Sequence, residues 1–153
     1  MRIAFDLDDT LIPGEHKFPL EPAPRGLLAG LFCREPLRLG TVDLFTELRR
    51  QGHEIWIYTT SFRRPLAMKA LFWYYGTSVG KVINEHMHQK LVASLGPAYK
   101  LCTKYPPAFG IDVLVDNSHL VLLESKTYDY DVLHVLPDDD DWVGTILDGL
   151  GID

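Results

Sequence analysis

The sequence has little cysteine and no long apolar run. Cys33 and Cys102 are the only cysteines among its 153 residues, and they are too far apart for a CxxC motif. Two such cysteines, with no secretory leader ahead of them, favour reduced thiols over a disulfide framework. No stretch approaches the roughly 20 apolar residues of a membrane-spanning helix, and the apolar run within residues 1–5 is too short for a signal peptide. These features predict a cytoplasmic protein without a membrane segment.

Positive charge is also scarce. Lys and Arg number 15 against 21 Asp and Glu, which gives a formal net charge of −6. Proteins that bind nucleic-acid duplexes or anionic membranes carry a basic patch that displaces counterions, so we expect neither partner. A local basic pocket is still compatible with the acidic total. The length suits one hydrophobic core and no internal repeat is evident, so a single domain over residues 1–153 is predicted.

Short runs of strand character alternate with segments of helical periodicity. The predicted strands are residues 3–5, 54–58, 81–83, 111–115 and 131–135, and the predicted helices are residues 41–52, 65–76, 84–95 and 141–150. Strands and helices that alternate at this spacing favour a parallel sheet with right-handed crossovers. The predicted fold is therefore α/β, a three-layer α/β/α sandwich around a mainly parallel, Rossmann-like sheet.

Residues 12–40 interrupt this alternation. Half of the ten prolines lie there. Proline ends helices and is poorly tolerated inside strands, so we expect loops with at most one short helix at residues 27–32. The segment is predicted to be a Pro-rich flap and not an independent domain.

The helix predicted over residues 84–95 contains a His-x-His pattern. Its expected buried face consists of Met87, Leu91 and Leu95. His86 and His88 would point about 200° apart on a helix, which disfavours a shared metal ion. We therefore interpret both histidines as part of a solvated face.

Two further runs of similar residues have ordinary structural interpretations. The acidic run at residues 138–141 precedes the last helix, where Asp residues cap the backbone N–H groups and favour the helix dipole. The aromatic run at residues 72–75 predicts helix packing. Because that helix is apolar all round there, one side could meet a partner subunit, which is compatible with a homo-oligomer.

Polar residues suited to one chemistry follow three of the predicted strands. Asp6 and Asp8 follow the first strand. Thr59 follows the second, and Asp116 follows the strand over residues 111–115. An acid after a strand often only caps a helix or shapes a turn. An open parallel sheet, however, binds its ligands beyond the carboxyl ends of its strands, so we expect these four side chains to share one site.

The run Phe5-Asp6-Leu7-Asp8-Asp9-Thr10-Leu11 resembles the first motif of the haloacid dehalogenase-like (HAD) superfamily of phosphohydrolases, a hydrophobic strand followed by DxDx[T/V]. The resemblance implies a later Ser or Thr, then a Lys, then acids after a further strand. Thr59, Lys104 and Asp116 match these motifs in that order. It also implies a HAD-like fold over essentially the whole chain. The second acid, Asp8, is similar to the phosphoryl-transfer branch, because the dehalogenase branch lacks it.

The resemblance implies a magnesium-dependent phosphomonoester hydrolase or phosphotransferase. Asp6 would attack phosphorus and form an aspartyl-phosphate, while Asp8 would act as general acid and base. Mg²⁺ would be held by Asp6, Asp116 and the backbone carbonyl of Asp8, since this ion prefers oxygen ligands. The cation offsets the repulsion between a carboxylate and a phosphate dianion. Asn117 stands where relatives often carry a second acid, so a contact through a metal-bound water and weaker magnesium binding are expected.

The expected phosphate contacts come from two other segments. Thr59 would donate its hydroxyl and a nearby backbone N–H to a phosphoryl oxygen, and Thr60 is a competing candidate for this role. Lys104 would offset the negative charge of phosphate and carboxylates. Lys100 competes for that position, but the prolines at 106–107 that follow Lys104 resemble the superfamily pattern.

The segment between Asp6 and Thr59 is too short for a cap once the helix at residues 41–52 is taken out of it. The resemblance therefore implies a small capless type with an open site, bordered by the Pro-rich flap. Its substrate is expected to be phosphorylated and is otherwise unspecified. Arg25, Arg63 and Arg64 are candidates to contact the charge of the substrate.

Two alternatives to an enzyme of this kind stay open. One is a non-catalytic HAD-like module that binds a phosphate-bearing ligand or protein. It would account for the fourth motif, in which Asn117 replaces a second acid, but it would gain nothing from Asp8. A phosphoacceptor signalling domain shares the inventory of Asp, Thr and Lys, but the order of these residues along the chain disagrees with it.

Overall fold

A five-stranded parallel sheet lies at the centre of the structure. The computed structural model describes residues 1–26, 29–32 and 34–152. Its strands are β1 (Arg2–Phe5), β2 (Glu54–Tyr58), β3 (Val82–Ile83), β4 (Val113–Asp116) and β5 (Asp131–His134). They are arranged in the order β3-β2-β1-β4-β5, with every neighbouring pair parallel. The predicted α/β class and parallel sheet are confirmed.

The helices follow the predicted alternation, with one addition. Their bounds are α1 (Ala29–Phe32), α2 (Thr41–Arg50), α3 (Pro65–Tyr74), α4 (Glu85–Leu95), α5 (His119–Tyr128) and α6 (Trp142–Leu150). Short 3-10 turns cover Pro97–Tyr99 and Pro106–Phe109. Helix α5 lies where no element was predicted, because the run is apolar on several sides and lacks one clear face. Part of the predicted helix at residues 27–32 lies outside the described residues.

The sheet buries both faces because its strands alternate their side chains. In β1, Ile3 and Phe5 point to one core, and Ala4 between them points to the other. The first core is packed by α2, α3 and α6, and the second by α4 and α5. The structure is therefore a three-layer α/β/α sandwich, as predicted.

Helix α4 is rotated relative to the predicted face. The buried residues are His88 and Val92, whereas Leu95 is exposed and Met87 only packs at the edge of the core. The interpretation of His88 as solvated was wrong: the ring is buried because two hydrogen bonds satisfy both of its nitrogens. A buried imidazole with two partners is invisible to a pattern that counts only apolar residues.

The aromatic run in α3 divides between core and surface. Phe72 is fully buried and stacks on Phe45, with ring centroids 5.7 Å apart. Trp73 is 69% exposed. That this run contacts a partner subunit in a homo-oligomer stays a prediction.

The structure describes one of the two cysteines, and it bears on membrane-spanning helices only within the described residues. Cys102 is a free, buried thiol, and Cys33 lies outside the described residues. Within the described ranges, no helix has the length and apolar character needed to cross a bilayer.

The acidic run at residues 138–141 does begin α6, but through a different residue than the formal N-cap. Asp139 accepts hydrogen bonds from the backbone N–H of Asp141 at 2.9 Å and from the hydroxyl of Thr145 at 2.7 Å. The side chain of Asp141 itself makes no capping bond. Asp139 therefore shapes the turn ahead of α6, whereas the expected capping of a helix N–H group by the Asp at the N-cap is not formed.

Arg38 joins the flap to this region and was not anticipated. Its side chain is buried and its guanidinium donates to the carbonyls of Leu136, Pro137 and Asp139 at 2.8–3.2 Å. The guanidinium also lies over the rings of Phe18 and Trp142, 4.7 Å from each ring centroid. Burial lowers the pKa of Arg38, which nevertheless keeps its charge because it meets carbonyl oxygens and acidic neighbours. The guanidinium of Arg38 thus connects the flap to the segment that precedes α6.

We expect Arg38→Met to lower the free energy of unfolding by about 3 kcal/mol, since it removes the charged donor that is shared by three partly buried carbonyls. Urea unfolding followed by circular dichroism measures this. Arg50→Met is the matched control, because Arg50 lies on the surface and pairs with Glu47 of its own helix. Equal unfolding midpoints for the two variants would contradict the anchoring role.

Candidate functional site

The site lies where the direction of the strand order changes. The chain builds β1, β2 and β3 outward to one side and then returns to place β4 on the other side of β1. The crevice beyond the carboxyl ends of two such strands is the usual ligand site of open α/β sheets. Asp6 follows β1 directly, and its backbone N–H donates to the carbonyl of Val115 in β4 at 2.9 Å. Asp116 ends β4, so both acids reach the same crevice.

Lys104 lies between these two carboxylates. Its Nζ donates to Oδ1 of Asp6 at 2.5 Å and to Oδ2 of Asp116 at 2.6 Å. All three side chains are almost completely buried. The structure thus brings together three of the predicted residues, and it places Lys104 rather than Lys100 between the acids. Lys100 is exposed on the neighbouring surface.

The electrostatics of this cluster follow from burial. Burial favours the neutral carboxyl and is the main reason why the pKa of Asp6 is raised, with the nearby charge of Asp116 adding to the effect and Lys104 opposing it. Burial alone would lower the pKa of Lys104, but the two carboxylates outweigh it and the pKa is raised. With both acids ionised, one ammonium leaves an uncompensated negative charge. A bound cation would compensate this charge.

The residues after Asp116 hold its carboxylate in place. The backbone N–H of Ser118 donates to Oδ1 of Asp116 at 2.8 Å. Asn117 accepts a hydrogen bond from the hydroxyl of Thr10 through its amide oxygen, at 3.2 Å. This contact ties the first and fourth motifs together and directs the amide oxygen of Asn117 towards Thr10.

The two threonines after β2 differ in position. Thr59 is fully buried, and its hydroxyl donates to Oγ of Ser61 and accepts from the backbone N–H of Ser61, both at 3.1 Å. Thr60 lines a cavity of 190 Å³ together with Asp6, Lys104 and Asp116. The hydroxyl of Thr59 thus holds the loop, while Thr60 faces the cavity.

Asp8 lies at the rim of the same cavity in an ion pair. Arg63 donates to its two carboxylate oxygens at 2.7 and 2.8 Å, and also to Glu35 at 2.6–3.0 Å. The hydrogen bonds to Asp8, and after them those to Glu35, raise the pKa of Arg63, so it stays charged. Arg25 and Arg64, the other arginines considered, are exposed. One guanidinium therefore connects the first motif, the loop after β2 and the flap.

Asp9 shapes the turn that follows the first motif. It has a positive φ of 60°, a conformation that Asp and Asn tolerate better than other residues with side chains. Its carboxylate accepts from the backbone N–H groups of Gly14, Glu15 and His16 at 2.8–3.3 Å. Partial burial by itself would raise the pKa of Asp9, but these hydrogen bonds outweigh it and lower the pKa. Ionised Asp9 therefore stabilises the start of the flap.

We expect Asp9→Asn to lower the free energy of unfolding at pH 7 by about 1 kcal/mol, since neutral acceptors make weaker hydrogen bonds. Because the pKa of Asp9 is depressed in the folded protein, its contribution is present above the ordinary value of 3.8 and is lost as the pH falls through the folded pKa. The difference from the parent protein should shrink in urea titrations at pH 3. A difference independent of pH would contradict this, and Asp43→Asn serves as the matched control.

Tyr58 and His88 support the segment that carries Lys104. His88 donates from Nε2 to the carbonyl of Cys102 at 2.9 Å, and its Nδ1 lies 2.6 Å from the hydroxyl of Tyr58. That hydroxyl also accepts from the backbone N–H of Tyr105 at 2.9 Å. Burial raises the pKa of Tyr58, which keeps the hydroxyl neutral. Sequence reasoning missed both supports, because only the folded chain brings them to this segment.

We expect Tyr58→Phe to lower the free energy of unfolding by about 2 kcal/mol, because it leaves the buried N–H of Tyr105 and Nδ1 of His88 without their partner. Chemical denaturation measures the loss. Tyr128→Phe is the control, since the hydroxyl of Tyr128 makes one surface contact with Ala98. Should Tyr58→Phe be as stable as the parent, the proposed support would be wrong.

The donor set fits the implied Mg²⁺. In the described part of the chain no three His, Cys, Asp or Glu side chains gather as a metal-binding group. Asp6 and Asp116 nevertheless meet on one ammonium, and their carboxylates are the hard oxygen donors that Mg²⁺ prefers. The expected third donor, the carbonyl of Asp8, is a backbone group.

Comparison with known proteins adds no relative. The chain matches no protein-family model and no curated protein sequence. The assignment of a function therefore rests on the residues of this site and their geometry.

Proposed function

We propose that the protein is a magnesium-dependent phosphomonoester hydrolase that acts through an aspartyl-phosphate. The observation that carries the proposal is the meeting of Asp6 and Asp116 on the buried ammonium of Lys104, at the crevice between β1 and β4. A buried cluster with excess negative charge, open to a cavity, is costly for stability alone. Phosphoryl transfer would use each of its parts.

Asp6 is the nucleophile in this proposal. Lys104 holds one carboxylate oxygen and so fixes the direction of the group. A carboxylate oxygen forms a bond to phosphorus as the bond between phosphorus and the leaving alcohol oxygen breaks. Bound Mg²⁺, held by Asp6, Asp116 and the carbonyl of Asp8, would supply the positive charge that lets the two anions approach.

Asp8 moves the proton in both half-reactions. Freed from Arg63, its carboxylate takes up a proton from solvent and gives it to the leaving alcohol oxygen. It later takes a proton from the water that attacks phosphorus and releases inorganic phosphate. Asp8 must leave the two hydrogen bonds from Arg63 to do so. The incoming phosphate dianion would draw Arg63 away from Asp8, while Thr60 at the cavity wall donates to a phosphoryl oxygen.

We expect Asp6→Asn to reduce the release of inorganic phosphate from a panel of phosphomonoesters by at least about a thousandfold, because the amide cannot act as the nucleophile. Dialysis against EDTA should abolish the activity of the parent, and added Mg²⁺ should restore it. Asp43→Asn, an exposed aspartate of α2, is the matched control and should keep full activity. Circular dichroism checks that both variants fold.

Full activity of Asp6→Asn would eliminate the covalent mechanism. Activity that persists unchanged after removal of Mg²⁺ would eliminate the metal from the proposal while leaving the nucleophile in place.

A non-catalytic module that binds phosphate-bearing ligands is the second candidate. The observation in its favour is the bidentate pair of Asp8 with Arg63, which suits a permanent structural contact. A trigonal-bipyramidal phosphate mimic distinguishes the two functions. Tight binding that depends on Mg²⁺ supports the enzyme, and equal affinity without the metal supports the module.

A further inference from the structure

A large groove adjoins the candidate site. It has a volume of 710 Å³ and shares Thr60 and Thr103 with the cavity of 190 Å³ that contains Asp6 and Asp116. Pockets for small organic ligands usually have volumes of roughly 300–1,000 Å³. The smaller cavity is below this range and the groove is within it. The two spaces together therefore suit a ligand with a small charged end and a larger body.

The walls of the groove carry two strongly exposed apolar side chains. Phe62, in the loop after β2, is 67% exposed, and Leu101, in the turn ahead of Lys104, is 89% exposed. A single exposed apolar residue is ordinary on a protein surface. Phe62 and Leu101, however, line the same groove, and this groove opens into the cavity that contains the charged cluster. They therefore form an apolar surface next to the candidate site.

The rest of the groove is mainly uncharged. His88 and Cys102 are buried lining residues, linked by the hydrogen bond from His88 Nε2 to the carbonyl of Cys102. At the edge, the amide of Gln89 donates to the carboxylate of Glu85 at 2.8 Å. Glu85 and Lys100 are lining residues of opposite charge. The groove therefore offers no excess of either charge to an ionic body.

We propose that this groove binds the leaving-group portion of the substrate, and that this portion carries an aromatic ring. The inference rests on the proposed function and names the substrate class: a phosphomonoester of a ring-bearing alcohol. The phosphoryl group occupies the smaller cavity beside Asp6, and the ester oxygen passes Thr60 and Thr103 into the groove. The exposed ring of Phe62 offers a face or edge to an aromatic group, and Leu101 adds apolar surface to the same groove.

Binding of two phosphonates that cannot be hydrolysed tests the proposal. Isothermal titration with the full chain and Mg²⁺ compares 3-phenylpropylphosphonate with propylphosphonate, which differ only in the ring. We expect the ring to tighten binding at least about tenfold, as burial of a phenyl group typically does. Equal dissociation constants for the two compounds, or no binding of either, would overturn the proposal.

Variants locate the effect. In the double variant Phe62→Ala/Leu101→Ala the preference for the phenyl compound should fall below about threefold, with little change for propylphosphonate. Leu66→Ala is the matched control, because Leu66 is 82% exposed and does not line the groove. A preference that survives the double variant, or that Leu66→Ala also removes, would show that the groove is not the ring site.

The same measurements separate this inference from the proposed function. Ring-dependent binding without release of phosphate from 2-phenylethyl phosphate would reject the hydrolase and keep the subsite. Release of phosphate that depends on Asp6, with equal affinity for the two phosphonates, would reject the subsite and keep the hydrolase.

Discussion

The structure depends on a buried ammonium held between two carboxylates. Lys104 ties the end of β1 to the end of β4 through Asp6 and Asp116, and it does so where solvent is largely excluded. Removing Lys104 would leave two buried carboxylates without compensation, a loss typically of several kcal/mol. The strand ends and the segment before β4 are therefore fixed relative to each other by the same contact that gathers the site.

This contact needs supports that lie further from the crevice. Lys104 follows a turn rather than a strand, so the sheet alone does not set its position. The carbonyl of Cys102 and the N–H of Tyr105, on either side of it, are held by His88 and Tyr58. Tyr58 belongs to β2 and His88 to α4. The packing of the second core against this face of the sheet therefore sets the position of the ammonium. The geometry of the site thus depends on the packing of the core.

The parts that could be predicted from the sequence are those encoded locally. A short apolar run followed by an acid marks both a buried strand and its carboxyl end, which is why the sequence predicts that Asp6 and Asp116 share one site. The burial of His88 and the anchoring by Arg38 could not be predicted, because each depends on partners far away in the sequence. The pairing of Asp8 with Arg63 was missed for the same reason. Polar residues in these roles carry no periodic signal.

The pairing of Asp8 also constrains how an acid could work here. While Arg63 donates to both of its oxygens, the carboxylate of Asp8 is an anionic acceptor and has no proton to give. Release of Asp8 would be costly if it left Arg63 alone, but Arg63 keeps Glu35 of the flap as a second carboxylate. A phosphate dianion entering the cavity would replace the charge that Asp8 withdraws. In the proposed mechanism, Glu35 would keep Arg63 paired while Asp8 is released, so the flap would take part in that exchange.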